Sequence, residues 1–195
     1  MKPTVNEMLQ KYSKDKTHAN EVKRLALLIF DEANKKILEI QELEKEYLEA
    51  AALLHDIGYF IEAKSHNKHS MQMIIKEGLY GFDDRETKII GCIARYHRGG
   101  LPDKESHEIY GSLDKKDRKT VKRLGGILKL ADGLCKDDKN HFKNITINYD
   151  KKNSIAEFIL LPDDINSKPN IKTAIRKRDL FEIGFKCQSV LLFSE

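Results

Sequence analysis

Histidine and aspartate recur at the ends of apolar helical stretches, and this placement limits the folds open to the chain more than any other feature. The clearest case is His55-Asp56 in "AALLHDIGYF". Buried polar groups need partners, so such a pair is wasteful as packing unless it binds something. Around it stand four further sites. His18 opens an amphipathic stretch, His69 opens "HSMQMII", His97 closes "CIARYH", and Asp132 interrupts the apolar face of "LGGILKLADGL". A fold that makes use of all of them must bring the ends of separate helices together.

The helices themselves are read from periodicity. Val22, Leu25, Leu28 and Ile29 recur at about 3.6 residues, with Thr17 as a plausible N-cap. Tyr47, Ala50, Ala51 and Leu54 give the next helix, with Gly58 as its stop signal. "KHSMQMIIKEGL" is short and has Gly78 near its end. "DDRETKIIGCIARYH" opens on Asp83 with Glu86 three residues on, a capping-box pattern. "DKKDRKTVKRLGGILKLADGL" is long and basic. Its Gly125-Gly126 pair costs roughly 1 kcal/mol of helix stability per glycine, which implies close packing against another helix.

After about Asn144 the pattern changes. "NITINYD" and "SIAEFILL" are β-rich and flank the turn signal "DKKN", which predicts a β-hairpin. "NIKTAIRKRDLFEIGF" has helical spacing, and "QSVLLF" is a candidate final strand. No repeat or low-complexity linker separates the halves. The expectation is therefore a mainly α unit, with a helical core over 1–143 and an appendage over 144–195 packed on it.

At 195 residues with 40% hydrophobic content, one domain with a real core is expected. A net charge of +4 is compatible with an anionic ligand but too small to argue for nucleic acid, and the absence of Trp removes the best stacking platform. No apolar run approaches a membrane span, and the N-terminal residues lack a signal-peptide core. Cys92, Cys135 and Cys187 are widely spaced with no CxxC, which reads as buried free thiols in a cytoplasmic protein.

The ligand types are imidazole nitrogen and carboxylate oxygen without thiolate. That set suits Mn²⁺, Fe²⁺, Co²⁺, Ni²⁺ or Zn²⁺ better than Mg²⁺. Six side chains exceed what one open metal site needs, so one or two divalent ions are expected, with Asp56 as a bridge in the two-metal case. Such a site activates water and binds a phosphoryl group. His55 and Asp56 are accordingly placed at the catalytic centre, and Arg98, Arg95 and Lys129 are candidate phosphate contacts. His66 is an alternative to His69; its neighbour's position directly before the apolar run favours His69. Taken alone, any one of these histidines would more often be a surface or capping residue. The run "KKDRKTVKR" reads as a solvated helix face, and "KTAIRKR" as surface.

The order "LLHDIGYFI", "HNKHSMQMI", "YGFDDRE", "IIGCIARYHRGGLP", "VKRLGGILKLADGL" resembles the HD superfamily of metal-dependent phosphohydrolases. It is closer still to the HD-type C-terminal region of the exopolyphosphatase/guanosine pentaphosphate phosphatase family, from about Asn6 to Phe185. The resemblance implies an HD-domain helical bundle with a small C-terminal β-hairpin/α appendage. It implies a first metal on His18, His55, Asp56 and Asp132, with His69 and His97 as the extra histidines of binuclear members. Tyr59 stands where the cyclic-dinucleotide phosphodiesterase branch has Lys, and a "GYP" signature is missing. The actin-like ATPase-fold domains that hold that family's phosphatase site have no counterpart in these residues, so exopolyphosphatase activity is not implied. What is implied is hydrolysis of a nucleotide or other small phosphorylated compound. The alternative is a non-catalytic regulatory module that binds polyphosphate or nucleotides; a homodimer is compatible with either.

Overall fold

In the computed structural model, residues 1–136, 141–164, 167 and 169–194 are described. Helix α1 spans Val5–Tyr12, α2 Lys16–Lys36 and α3 Glu42–Leu54, followed by a 3-10 turn over Ile57–Phe60. Next come α4 (His66–Glu77), α5 (Asp84–Arg95), the short α6 (Glu108–Ser112) and the long α7 (Lys115–Leu134). The C-terminal part holds β1 (Phe142–Asp150), β2 (Ile155–Pro162), α8 (Lys172–Lys177), α9 (Asp179–Phe185) and β3 (Gln188–Phe193). The molecule is thus mainly α with a three-stranded appendage, as expected.

Helix ends follow local chemistry. Asp83 and Glu86 form the reciprocal capping box that starts α5, and Thr4 and Glu7 form another at α1. α2 starts earlier than the Thr17 reading: Asp15 is the N-cap, because its side chain accepts from the His18 N–H. Gly78, at φ +69°, ends α4 in a conformation that glycine alone adopts without strain.

The core is built from one face of each long helix. Val22, Leu25, Ala26, Ile29 and Phe30 of α2 are fully buried against Leu48, Ala51 and Leu54 of α3 and Leu124, Leu128 and Ala131 of α7. Each such Leu, Ile or Phe contributes about 1.5–3 kcal/mol relative to exposure.

β1 and β2 pair antiparallel as the expected hairpin, and β3 adds in parallel on the other edge of β2. Alternate residues Ile145, Ile147, Ala156, Phe158, Leu160 and Leu191 point inward. The stretch with helical spacing in the tail is two short helices meeting at Arg178, not one. α9 lies on α7 where the paired glycines allow it. A Cβ on Gly126 would sit 2.6 Å from the Phe181 Cα, so only glycine fits that crossing. This is the close packing that Gly125-Gly126 implied. At Gly133, the penultimate residue of α7, a Cβ would come 2.8 Å from the Ala174 Cα, so α8 is seated just as closely. The three cysteines are free and buried. Among the described residues, no helix is long and apolar enough to cross a membrane.

Candidate metal centre

Helix ends converge at one place. His18 lies in the first turn of α2, His55 caps the C-terminal end of α3, and Asp56 follows it. His66 is the first residue of α4, His97 stands just past α5, and Asp132 lies in the last turn of α7. His55, His66, His97 and Asp132 are buried, and the Asp56 side chain is one quarter exposed. Asp56 is central. Its Oδ2 is 3.4 Å from His55 Nε2 and 3.8 Å from His18 Nε2, while its Oδ1 is 3.2 Å from His66 Nε2 and 3.4 Å from His97 Nε2. Asp132 Oδ1 closes the first group, 3.3 Å from His18 Nε2 and 3.8 Å from His55 Nε2.

The local backbone fixes which nitrogen faces inward. The Nδ1 atoms of His55, His66 and His97 lie 2.7, 3.0 and 2.6 Å from the carbonyls of Ala52, Ala63 and Ala94, each three residues back. A carbonyl only accepts, so each Nδ1 carries a proton, and in its neutral form each ring turns an Nε2 lone pair into the cluster. Two consequences follow. His66 and His97 then hold two lone pairs 3.2 Å apart, a repulsive contact unless a cation sits against both. His55 Nε2 and Asp56 Oδ1 are buried with no hydrogen-bond partner. Such atoms cost about 1–3 kcal/mol each when left unmet, and a divalent cation would meet them. The donor set separates into two groups that can each hold an ion, His18–His55–Asp56 and Asp56–His66–His97, with Asp56 common to both. The residues fit two divalent ions.

The electrostatics favour deprotonated ligands. Burial opposes ionisation of Asp56, yet its carboxyl stays well below the usual range, held there by positive charge on the surrounding imidazoles, His55 first, at the low pH where it would take a proton. Asp132 is likewise buried, and His18, Lys177, His97 and His55 keep it ionised far below its ordinary value. Burial, then His55, pushes His97 down to about 3, so it is neutral at any ordinary pH. His18 is raised, chiefly by its hydrogen bond to Asp132 against the cost of burial.

Of the residues expected from sequence, His18, His55, Asp56, His97 and Asp132 come together. His69 does not. Its Nε2 is 3.9 Å from Glu62, it belongs to neither ligand group, and His66 takes the place proposed for it. Arg98 lines the cavity of about 190 Å³ over the cluster, together with His18, Asp56, Tyr59, His66, His97 and Asp132. Arg95 stands in a neighbouring cavity. Lys129 is not a phosphate contact: it is buried on α7, with Nζ 2.8 Å from Asp179 and 3.4 Å from the Gly99 carbonyl. It ties α9 and the loop after α5 to α7.

Two residues escaped the sequence reading. Lys177 of α8, placed on the surface by its charged neighbourhood, instead pairs with Asp132 Oδ2 and lines the cavity. Tyr59 stacks on the His66 ring at 4.0 Å between centroids and 13° between planes.

The family model for Ppx/GppA phosphatase, domain III, matches residues 2–175. A guanosine-5'-triphosphate,3'-diphosphate pyrophosphatase of Pseudoalteromonas translucida is 33% identical over 102 residues, covering 51% of this chain and 20% of the relative. The protein of the same name from Vibrio vulnificus is 29% identical over 129 residues, covering 66% and 24%, and that from Aeromonas hydrophila 28% over 132 residues, covering 68% and 26%. The matched region thus spans about a fifth to a quarter of the length of these curated relatives. With nearly its whole length matched, the chain belongs to the family of Ppx/GppA phosphatase domain III.

Proposed function

We propose that this chain is an HD-type, divalent-metal-dependent phosphohydrolase acting on a nucleotide or another small phosphorylated compound. The observation that carries the reading is Asp56, whose two oxygens face two separate sets of inward-turned imidazoles. His18, His55, Asp56 and Asp132 would hold one ion, and Asp56, His66 and His97 the other. When bound, such ions polarise a phosphoryl oxygen and activate water at neutral pH. The protein's own part is positioning. The backbone carbonyls of Ala52, Ala63 and Ala94 lock the ring orientations, which is the usual role of groups behind metal ligands. Arg98 and Lys177 place cations on the walls of the cavity where a phosphate would lie. His55 and Asp56 lie at the centre of this chemistry as ligands rather than as proton carriers, because a carboxyl held so far below its usual range is a poor base. The relatives' names, which describe pyrophosphatases of a guanosine nucleotide, support a nucleotide as the first substrate class to try.

The test is elemental analysis of the purified chain together with hydrolysis of a nucleotide panel in Mn²⁺. About two equivalents of metal and measurable phosphate release are expected, both lost in the His55→Ala/Asp56→Ala variant. If the chain holds no metal and the variant behaves like the parent, the reading is wrong.

A further inference from the structure

The cavity over the ligand cluster does not end there. A second one, of about 240 Å³, shares His18, Asp56, Tyr59 and Lys136 with it. The rest of its wall is Ser13, Lys14 and Asp15, from the link between α1 and α2, and Cys135 at the end of α7. The two form one cleft that runs past His18 and Asp56. The cavity beside Arg95, by contrast, shares only Arg98 with it among the described residues.

Ligand sites are as a rule lined mainly by apolar and aromatic side chains, with a few placed polar groups. This cleft departs from that rule. Among the described residues, no Leu, Ile, Val, Met or Phe lines either cavity. Apart from the imidazoles, the one aromatic ring is Tyr59, and the His66 ring already covers one of its faces, at 4.0 Å between centroids. A nucleobase has no apolar slot to enter. The polar groups of the second cavity are of both kinds. Lys14 and Lys136 only donate, the Asp15 carboxylate only accepts, and the Ser13 hydroxyl does either. Asp15 Oδ1 takes the His18 N–H at 2.8 Å, and its Oδ2 has no hydrogen-bond partner among the described residues. Both lysines are exposed, so solvent and salt screen their charge. A second anionic group would meet Asp15 and Asp56 as like charges. A group that donates and accepts at once suits this wall, and an alcohol hydroxyl is such a group.

We propose that the second cavity holds the alcohol portion of the substrate, and that it selects a phosphate monoester of a hydroxyl-rich alcohol, of the sugar-phosphate class, without reading a base. The phosphoryl group lies over the cluster beside Arg98 and Lys177, and hydroxyls of the alcohol meet Ser13 and Asp15. Hydrolysis breaks the ester P–O bond: water gives its oxygen to the phosphate and a proton to the departing alcohol oxygen. The word substrate rests on the hydrolase reading; a preference for hydroxyls in binding does not.

Two measurements separate these claims. The first is a calorimetric titration, in Mn²⁺, with the phosphonate analogues of ribose 5-phosphate and of pentyl phosphate. These carry a methylene in place of the ester oxygen, so no ester bond is there to hydrolyse. The ribose analogue should bind the parent about tenfold more tightly than the pentyl analogue, because a site that pairs with hydroxyls discriminates against a ligand lacking them. In Ser13→Ala/Asp15→Asn that advantage should fall to about twofold or less. Asn caps a helix as well as Asp, so the start of α2 and the place of His18 are kept. No preference in the parent, no binding of either analogue, or equal weakening of both in the variant overturns the subsite. The second measurement compares ribose 5-phosphate with nucleoside 5'-monophosphates of different bases as substrates in Mn²⁺. Their kcat/KM values should agree within about threefold. An advantage of about tenfold or more for any one base overturns the substrate class. If the parent hydrolyses none of them, the hydrolase reading fails, and the phosphonate titration still decides the subsite.

Discussion

His66 and His69 stand on the same turn of α4, yet their surroundings differ in every respect. His66 is buried, stacked under Tyr59, and turned toward Asp56 and His97. His69 is partly exposed, and among the described residues its ion-pair partner is Glu62. Replacing His66 with Gln should lower metal affinity by about tenfold or more, whereas His69→Gln should leave it within about twofold. Equilibrium dialysis with Mn²⁺ on the two variants checks this, and equal losses would remove His66 from the ligand set. The distinction was within reach of the sequence. His66, Ser70, Met73 and Ile74 share the buried face of α4, whereas His69 aligns with Gln72 and Lys76 on the polar face. A choice based on the residue next to the apolar run overlooked that phase. Lys177 is a different case. Its segment carries four cations within "KTAIRKR" and no local mark of burial. Only the seating of α8 against Gly133 brings it to Asp132.

At the scale of elements, glycine decides how closely the appendage and the site approach the helical core. The periodicity of the long helices, the capping box at α5 and the hairpin were legible because each is a local signal. The break at Arg178 and the parallel pairing of β3 were not, because both depend on contacts with α7 and β2. The neighbouring glycines of α7 give a discriminating pair. Alanine at either position gains about 1 kcal/mol of helix propensity. At Gly125 the new Cβ would meet the Leu180 Cδ2 at 3.3 Å, which can rotate away, and the Tyr96 Cβ at 3.6 Å, an ordinary van der Waals contact. At Gly126 it would meet the Phe181 backbone at 2.6 Å, and overpacking of that kind costs about 1–3 kcal/mol. Gly125→Ala should therefore be neutral or stabilising, and Gly126→Ala should be destabilising by up to about 2 kcal/mol, read as a fall of up to about 8 °C in Tm. The same logic applies at Gly58, where a Cβ would lie 1.9 Å from the His66 carbonyl oxygen. Gly58→Ala should push α4 away from the 3-10 turn, lowering metal affinity as well as Tm; a fall in Tm with affinity intact would show that the turn does not position His66.

For the whole molecule, the cluster draws a side chain from α2, the end of α3, α4, the end of α5, α7 and α8, so binding of the proposed ions would form one equilibrium with global folding. An ion that binds only the folded chain at about a hundred times its Kd adds about 2.7 kcal/mol. For a chain of this length that is about 5–11 °C in Tm. The gain should depend on pH, and His18 sets the direction. Its folded-state value is raised, mainly by Asp132. In the ion-free protein the protonated His18 therefore contributes stability that is fully present below its unfolded value, about 6.5, and is lost as pH rises through the raised folded value. A metal ion requires the neutral ring, so the proton and the ion compete. His97, held down to about 3, is already neutral and adds no such competition above pH 5. The Mn²⁺-induced rise in Tm should be small near pH 5.5 and full near pH 8, about the upper part of the 5–11 °C range. Calorimetry with Mn²⁺ and with chelator at both pH values measures it. A rise of equal size at both, or an unaltered pH dependence in His18→Gln, would show that His18 is not the ligand for which proton and metal compete.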